Sequence, residues 1–248
     1  MKRAFSLLEL IFVLLILSLI FTIAKFYPQD DTRIFLAAEQ ILNDLSYTRH
    51  LALMQDSFRG ANLALATKDE WFKSRWQLYF IRSKSATNNE QTYTIFLDKN
   101  GDGNANIGKI NVDLDREIAI DVLNPKKLMN SGQSGVISSS DERASKRFNI
   151  QSTYGVENIK FLGACSSYTR VIFDEYSRLY SPLRTAKSRF DKLLFYKNEP
   201  CVIKLSNSRQ SVCILVDTLS GYAYMPEFSD KVTQLINFGS RSLNCSEL

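Results

Sequence analysis

The chain is 248 residues long, 45% hydrophobic and 23% charged, which excludes a disordered tail or a polytopic membrane protein and suits one good-sized domain with an appendage. Its formal net charge of +5 includes Lys2 and Arg3, so loss of the first residues would leave +3, a weak argument for nucleic acid. The single histidine, His50, excludes any metal centre built on several imidazoles, and with no partner cluster in view it reads as a solvated helix-face residue. Cys165, Cys201, Cys213 and Cys245 form no C-x-x-C pair. An even number at wide spacing suits two disulfides in an oxidising compartment; four separate buried thiols would suit a reducing one. The N-terminus decides between these.

Residues Phe5 to Ala24 form an apolar run which, as a helix, is long enough to cross about 30 Å of hydrocarbon. Lys2 and Arg3 precede it and hold that end on the cytoplasmic side. Glu9 is the one ionisable group inside, and a carboxylate at the membrane centre costs roughly 2.5–3.5 kcal/mol, so it calls for a reason. A cleaved signal peptide would have a shorter apolar region of about 7–15 residues, although Thr22-Ile23-Ala24 could pass for its cleavage site. A plain anchor explains the length but leaves Glu9 unexplained.

The order Ala4-Phe5-Ser6-Leu7-Leu8-Glu9 resembles the type IV prepilin signal. Alanine stands here where that family usually has glycine. The resemblance implies a leader of residues 1–4 and a cut between Ala4 and Phe5 by a prepilin peptidase on the cytoplasmic face, with N-methylation of Phe5. It also implies Glu9 as the residue that assists assembly. Physically, the amine freed at Phe5 is cationic at neutral pH, and a neighbouring subunit shifted along the helix axis can offer its own amine to Glu9. In a low dielectric each charge relieves the other's burial, and one pair sets the register between subunits.

Pro28 is expected to kink the chain, and Asp30, Asp31 and Thr32 to open a fresh helical turn. Ile34, Ala38, Ile41 and Leu45, continuing through Thr48 to Ala52, step at helical spacing and predict one amphipathic face. Together these make a long N-terminal helix over 5–58, its transmembrane half at 5–24, followed by a β-rich head over 59–248. Strands are expected at Trp76–Ile81 and Thr92–Leu97, joined through Asn88-Asn89, and at Asn158–Leu162, Arg170–Phe173, Val202–Leu205 and Val212–Val216, with Gly221–Tyr224 a final edge. The Ser-, Gly-, Lys- and Asn-rich stretch 124–147 reads as a long, mobile surface insertion. The fold class is therefore α+β.

Three stretches extend the resemblance. Leu45–Ala52 is similar to the second half of the long helix in H-type minor pseudopilins and related minor pilins. Arg170–Arg178 is similar to a strand and turn of theirs in which glycine usually stands at the position of Ser177, and Asp217–Tyr222 to their C-terminal threonine-glycine turn with two residues inserted. What this implies is a pilin-like long helix packed on an antiparallel sheet. The protein would be a structural subunit rather than an enzyme, single-pass in the inner membrane with a periplasmic head, and built into a pseudopilus for type II protein secretion or into a type IV pilus. Its partners would be other pilins, the peptidase, an inner-membrane assembly platform and lipid.

Asp98, Asn100, Asp102 and Gly103, with Asn104 next, fit the first half of a calcium loop, D-x-[DN]-x-[DN]-G, where oxygens at alternate positions converge on a hard cation. The second half departs, with Lys109 where a bidentate glutamate is needed, and a polar turn using Asn, Asp and Gly is the competing reading. Seven basic residues, Arg184, Lys187, Arg189, Lys192, Lys197, Lys204 and Arg209, interleave with Phe190, Phe195 and Tyr196. Such a mix can bind DNA through phosphates and stacking, as in the DNA-uptake minor pilins, or be a solvated face. In an exported head, Cys201 and Cys213 flank a hairpin around Asn207-Ser208 and are expected to pair, leaving Cys165 with Cys245 to tie down the tail.

Overall fold

The computed structural model describes residues 7–26, 32–55, 65, 68–107, 116–228, 234–238 and 241–248. The chain divides into two units, Met1–Thr32 and Arg33–Leu248. The first holds helix α1, Leu7–Phe26, twenty residues in the backbone. Pro28, Asp30 and Asp31 lie outside the described residues. Among the described residues no helix is long and apolar enough to cross a membrane; the side chains of α1 are described over 8–19 only.

The second unit is α+β with antiparallel sheets. Helix α2, Arg33–Leu53, buries Ile34, Ala38, Ile41, Leu45, Thr48 and Ala52, the face its periodicity predicts. Ala37 and Asp44 join that face. The stripe packs over two four-stranded sheets. One has the order β2-β1-β6-β7, from Gln91–Leu97, Trp76–Arg82, Arg170–Phe173 and Leu179–Tyr180. The other has the order β10-β9-β8-β5, from Ala223–Tyr224, Ser211–Val216, Cys201–Ser206 and Asn158–Gly163. The main core lies between helix and sheets, with Leu78, Ile95, Phe173, Ile203 and Ile214 among its buried side chains. Asn88 and Asn89 both adopt positive φ, 51° and 64°, in the connection between β1 and β2, which also contains a helical turn, α3, at Lys84–Thr87.

The stretch 124–147 buries 128–132, Ile137, Ala144 and Ser145 between exposed positions. It opens as strand β4, Asn124–Leu128, paired with the short strand β3, Ile120–Asp121. Leu128, Ile137 and Ala144 then join Phe96 and Ile118 in a second buried cluster. Its backbone neighbours cover the outer edge of β2: Leu97 N–H donates to Glu117 O (2.9 Å), and Ala119 N–H to Ile95 O (2.9 Å). A strand edge has to be covered or charged. Polar composition concealed a segment whose few apolar residues are all used.

Within Gly221–Tyr224, Ala223–Tyr224 forms the edge strand β10, but it is not the last strand of the chain: a ribbon of β11 (Leu235–Phe238) and β12 (Arg241–Asn244) follows. The disulfides are Cys165–Cys201 and Cys213–Cys245, which corrects the expected pairing. The β8–β9 hairpin is where it was expected, but its register sets Cys201 opposite Val216 and Cys213 opposite Lys204. This odd offset turns the two cysteines to opposite faces. Cys201 enters the main core beside Cys165, whereas Cys213 faces Val202, Leu215 and Ile236, where the tail brings Cys245.

Candidate functional site

Glu9 lies in the first turn of α1, the one charged residue among the side chains described there, 8–19, which are apolar apart from it and Ser18. Leu8 to Leu19 are exposed there, Leu8 at 68% and Phe12 at 60%. A contiguous exposed apolar surface of this kind marks a lipid or protein contact. Ala4 and Phe5 lie outside the described residues.

The stretches Leu45–Ala52, Arg170–Arg178 and Asp217–Tyr222, far apart in sequence, meet in space. Arg49 of α2 donates its Nε–H to Ser220 O (2.8 Å). Leu179, just past the Arg170–Arg178 stretch, donates its N–H to Thr218 O (3.0 Å). Gly221 packs so tightly on the 174–178 turn that a Cβ there would lie 2.3 Å from Ser177 O. The Asp217 carboxylate organises its own turn, accepting the N–H and hydroxyl of Ser220 (both 2.7 Å) and the N–H of Leu219. Burial alone would raise this carboxyl, but those hydrogen bonds outweigh it and hold it below the ordinary range.

Ser177 sits at φ +67° and is 1% exposed, its hydroxyl buried without a hydrogen-bond partner. A non-glycine residue in the left-handed region costs about 1–2 kcal/mol, and an unpaired buried hydroxyl adds to that. We expect Ser177→Gly to raise unfolding stability by about 1–2 kcal/mol, read by urea denaturation. An unchanged or lower midpoint would remove the strain argument.

The Asp98–Asn104 run forms a turn held by its own hydrogen bonds and by Gln77 and Glu117. Asp98 Oδ2 accepts the Gly103 N–H (3.0 Å) and the Gln77 amide (3.2 Å). Asn100 Oδ1 accepts the Asp102 N–H (3.0 Å), and Asp102 Oδ1 the Asn104 N–H (2.7 Å). Glu117 closes the turn by accepting the N–H groups of Lys99 (2.7 Å) and Asn100 (3.2 Å). Among the described residues, no three His, Cys, Asp or Glu side chains come together to hold a metal. Lys109 lies outside the described residues. Asp98 is raised to about 7, by burial first and then by the neighbouring Asp102 charge. Glu117 is also raised to about 7, again chiefly by burial.

The basic residues are spread over several elements. Arg184 and Lys187 are exposed on the loop after β7, and Lys192 is half-buried there at φ 107°. Arg189 pairs with Glu175, which also pairs with the buried Arg75 (2.6 Å). Lys197 donates to Ala164 O (2.6 Å). Lys204 and Arg209 line a separate cleft with Lys160. His50 is exposed on α2.

Sequence reasoning missed a buried polar network that ties α2 to the sheets. Arg147 bridges Asp44 and Asp121 (3.1 Å each). Tyr93 donates its hydroxyl to Asp44 (2.5 Å), and Gln40 donates to Arg147 O (2.9 Å). One signal was available, since Asp44 falls in the apolar phase of α2 between Ile41 and Leu45.

No family model, no curated protein and no solved structure matches the chain. Fold and site together define an α+β protein whose antiparallel sheets carry one amphipathic helix, with an exposed apolar helix in the unit before it.

Proposed function

We propose that the protein is a minor pseudopilin or minor pilin, a structural subunit that is processed between Ala4 and Phe5, held in the inner membrane by α1 and assembled into a filament for protein secretion. The observation that carries this reading is a single acidic residue, Glu9, in the first turn of an apolar helix directly after the Ala4–Leu8 run. Support comes also from the amphipathic α2 laid over antiparallel sheets, and from two disulfides, which suit an oxidising compartment outside the cytosol. In the filament the apolar faces of α1 from successive subunits pack together, and Glu9 meets the amine of a neighbour's Phe5. Leaving either charge alone in lipid costs several kcal/mol, so subunits slip into the one register that pairs them.

In the native host, mass spectrometry is expected to find a mature chain beginning at N-methylated Phe5. Glu9→Val should be cut normally and yet fail to enter the filament, seen as loss of the subunit from the sheared fibre fraction. A native chain that still begins at Met1, or normal incorporation of Glu9→Val, would overturn the reading.

A further inference from the structure

The β5–β8 register sets Lys160 directly opposite Lys204, and Asn158 opposite Ser206. Like charges directly opposed across two strands are destabilising. A lysine on an edge strand guards against stray pairing, which accounts for Lys160 on β5. It does not account for Lys204, which lies on the interior strand β8 and is 8% exposed. The Lys204 Nζ donates to Ser246 O (3.1 Å), a carbonyl that a neutral donor would satisfy at lower cost.

Both lysines line a cleft of about 290 Å³ together with Arg209 and the hydroxyls of Ser206, Ser208 and Ser211. Among the described residues no acidic side chain lines it. Its floor is the sheet face that carries Lys160, Lys204 and Ser211. One wall is the hairpin turn, pinned by Asn207 Oδ1 accepting the N–H groups of Arg209 (2.9 Å) and Gln210 (2.8 Å). Ser246 forms the other, held next to the sheet by the Cys213–Cys245 disulfide.

We propose that this cleft binds a phosphate-sized dianion, either inorganic phosphate or the phosphomonoester of a small molecule. Three cations and four serines around one small cleft match the two charges and several acceptor oxygens of that group. Occupancy would turn the Lys160–Lys204 repulsion into a shared attraction. The Lys204 ammonium sits below its ordinary range, through burial first and then through Lys160, and the attraction of a bound dianion would oppose both. The site stands apart from the filament reading and neither requires it nor supports it.

The test uses the full-length chain in a non-ionic detergent, titrated with sodium phosphate against sodium chloride at matched ionic strength, by calorimetry and thermal shift. Saturable one-site phosphate binding is expected, weakened by about tenfold or more in Lys160→Gln and in Arg209→Gln, two exposed positions whose change leaves the fold intact. Glycerol 3-phosphate provides a second arm. Tighter binding than phosphate assigns the site to a phosphomonoester, and equal binding assigns it to the bare ion. A phosphate response no larger than that of chloride, or one that both variants retain, would overturn the proposal.

Discussion

Replacing Arg147 by methionine is expected to destabilise the protein at neutral pH by about 3–5 kcal/mol, the range for removing one partner of a buried ion pair. Asp44 and Asp121 are 4% and 1% exposed, and both point at the one guanidinium. Without it two carboxylates face each other out of water. The Asp44 carboxyl already sits above its ordinary value, because burial outweighs the attraction of Arg147 and the Tyr93 hydrogen bond. Losing Arg147 drives it further up. A group whose folded pKa is raised contributes stability that is present below its unfolded value and lost as pH rises through the folded one. The defect should therefore be large at pH near 7 and shrink towards pH near 4, and adding Asp44→Asn should recover part of it at neutral pH. Urea denaturation of the wild type and both variants at the two pH values gives the comparison. A defect of equal size at both would mean that Arg147 acts through its packing on Phe148, 4.1 Å from the ring centre, rather than through its charge.

What the sequence made legible follows from which interactions leave a periodic trace. The α2 stripe is legible because Ile34, Ala38, Ile41 and Leu45 must all meet one core, and strands β1, β2, β8 and β9 because their β-branched and aromatic residues cluster between polar turns. Asn88-Asn89 marked its connection because asparagine tolerates positive φ. The 116–148 segment was not legible, since it closes the edge of β2 through main-chain hydrogen bonds and a single arginine, neither of which has a period. The disulfides failed for a different reason. The two cysteines were placed on either side of the right hairpin, but pairing depends on register to one residue, and composition does not encode that. The meeting of Arg49 with Ser220 and of Gly221 with Ser177 was equally out of reach, being a product of how the sheets close around α2. Ser177 is the exception that could be read. The resemblance implies glycine at this position, glycine is the residue most at ease in the left-handed region, and φ here is +67°.

The turn at Asp98 sets up the second large effect, a loss of stability as pH rises through neutrality. Asp98 and Glu117 are both raised to about 7, from model-peptide values of 3.8 and 4.5, by burial above all. They are 2% and 3% exposed, and Asp98 Oδ1 is buried without a hydrogen-bond partner. The folded protein therefore holds protons here that the unfolded chain has already released between pH 5 and 7, and stability falls with rising pH across that window. The contribution fully present below about pH 4 should be lost by about pH 8, at about 1.4 kcal/mol for each unit by which the two carboxyls are raised. The double variant Asp98→Asn, Glu117→Gln keeps an acceptor for the Gly103 and Lys99 N–H groups and removes both titrations. Relative to the wild type it should gain stability at pH near 8 and none at pH near 4, seen as a difference in urea midpoint that grows through neutrality. Calcium separates the two readings of this sequence motif. A bound cation would neutralise the deprotonated pair and abolish the wild-type loss at pH near 8. Because Asn100 and Asp102 already accept N–H groups of their own turn, and no third carboxylate among the described residues joins Asp98 and Glu117, the wild-type curve is expected to stay where it is when calcium is added.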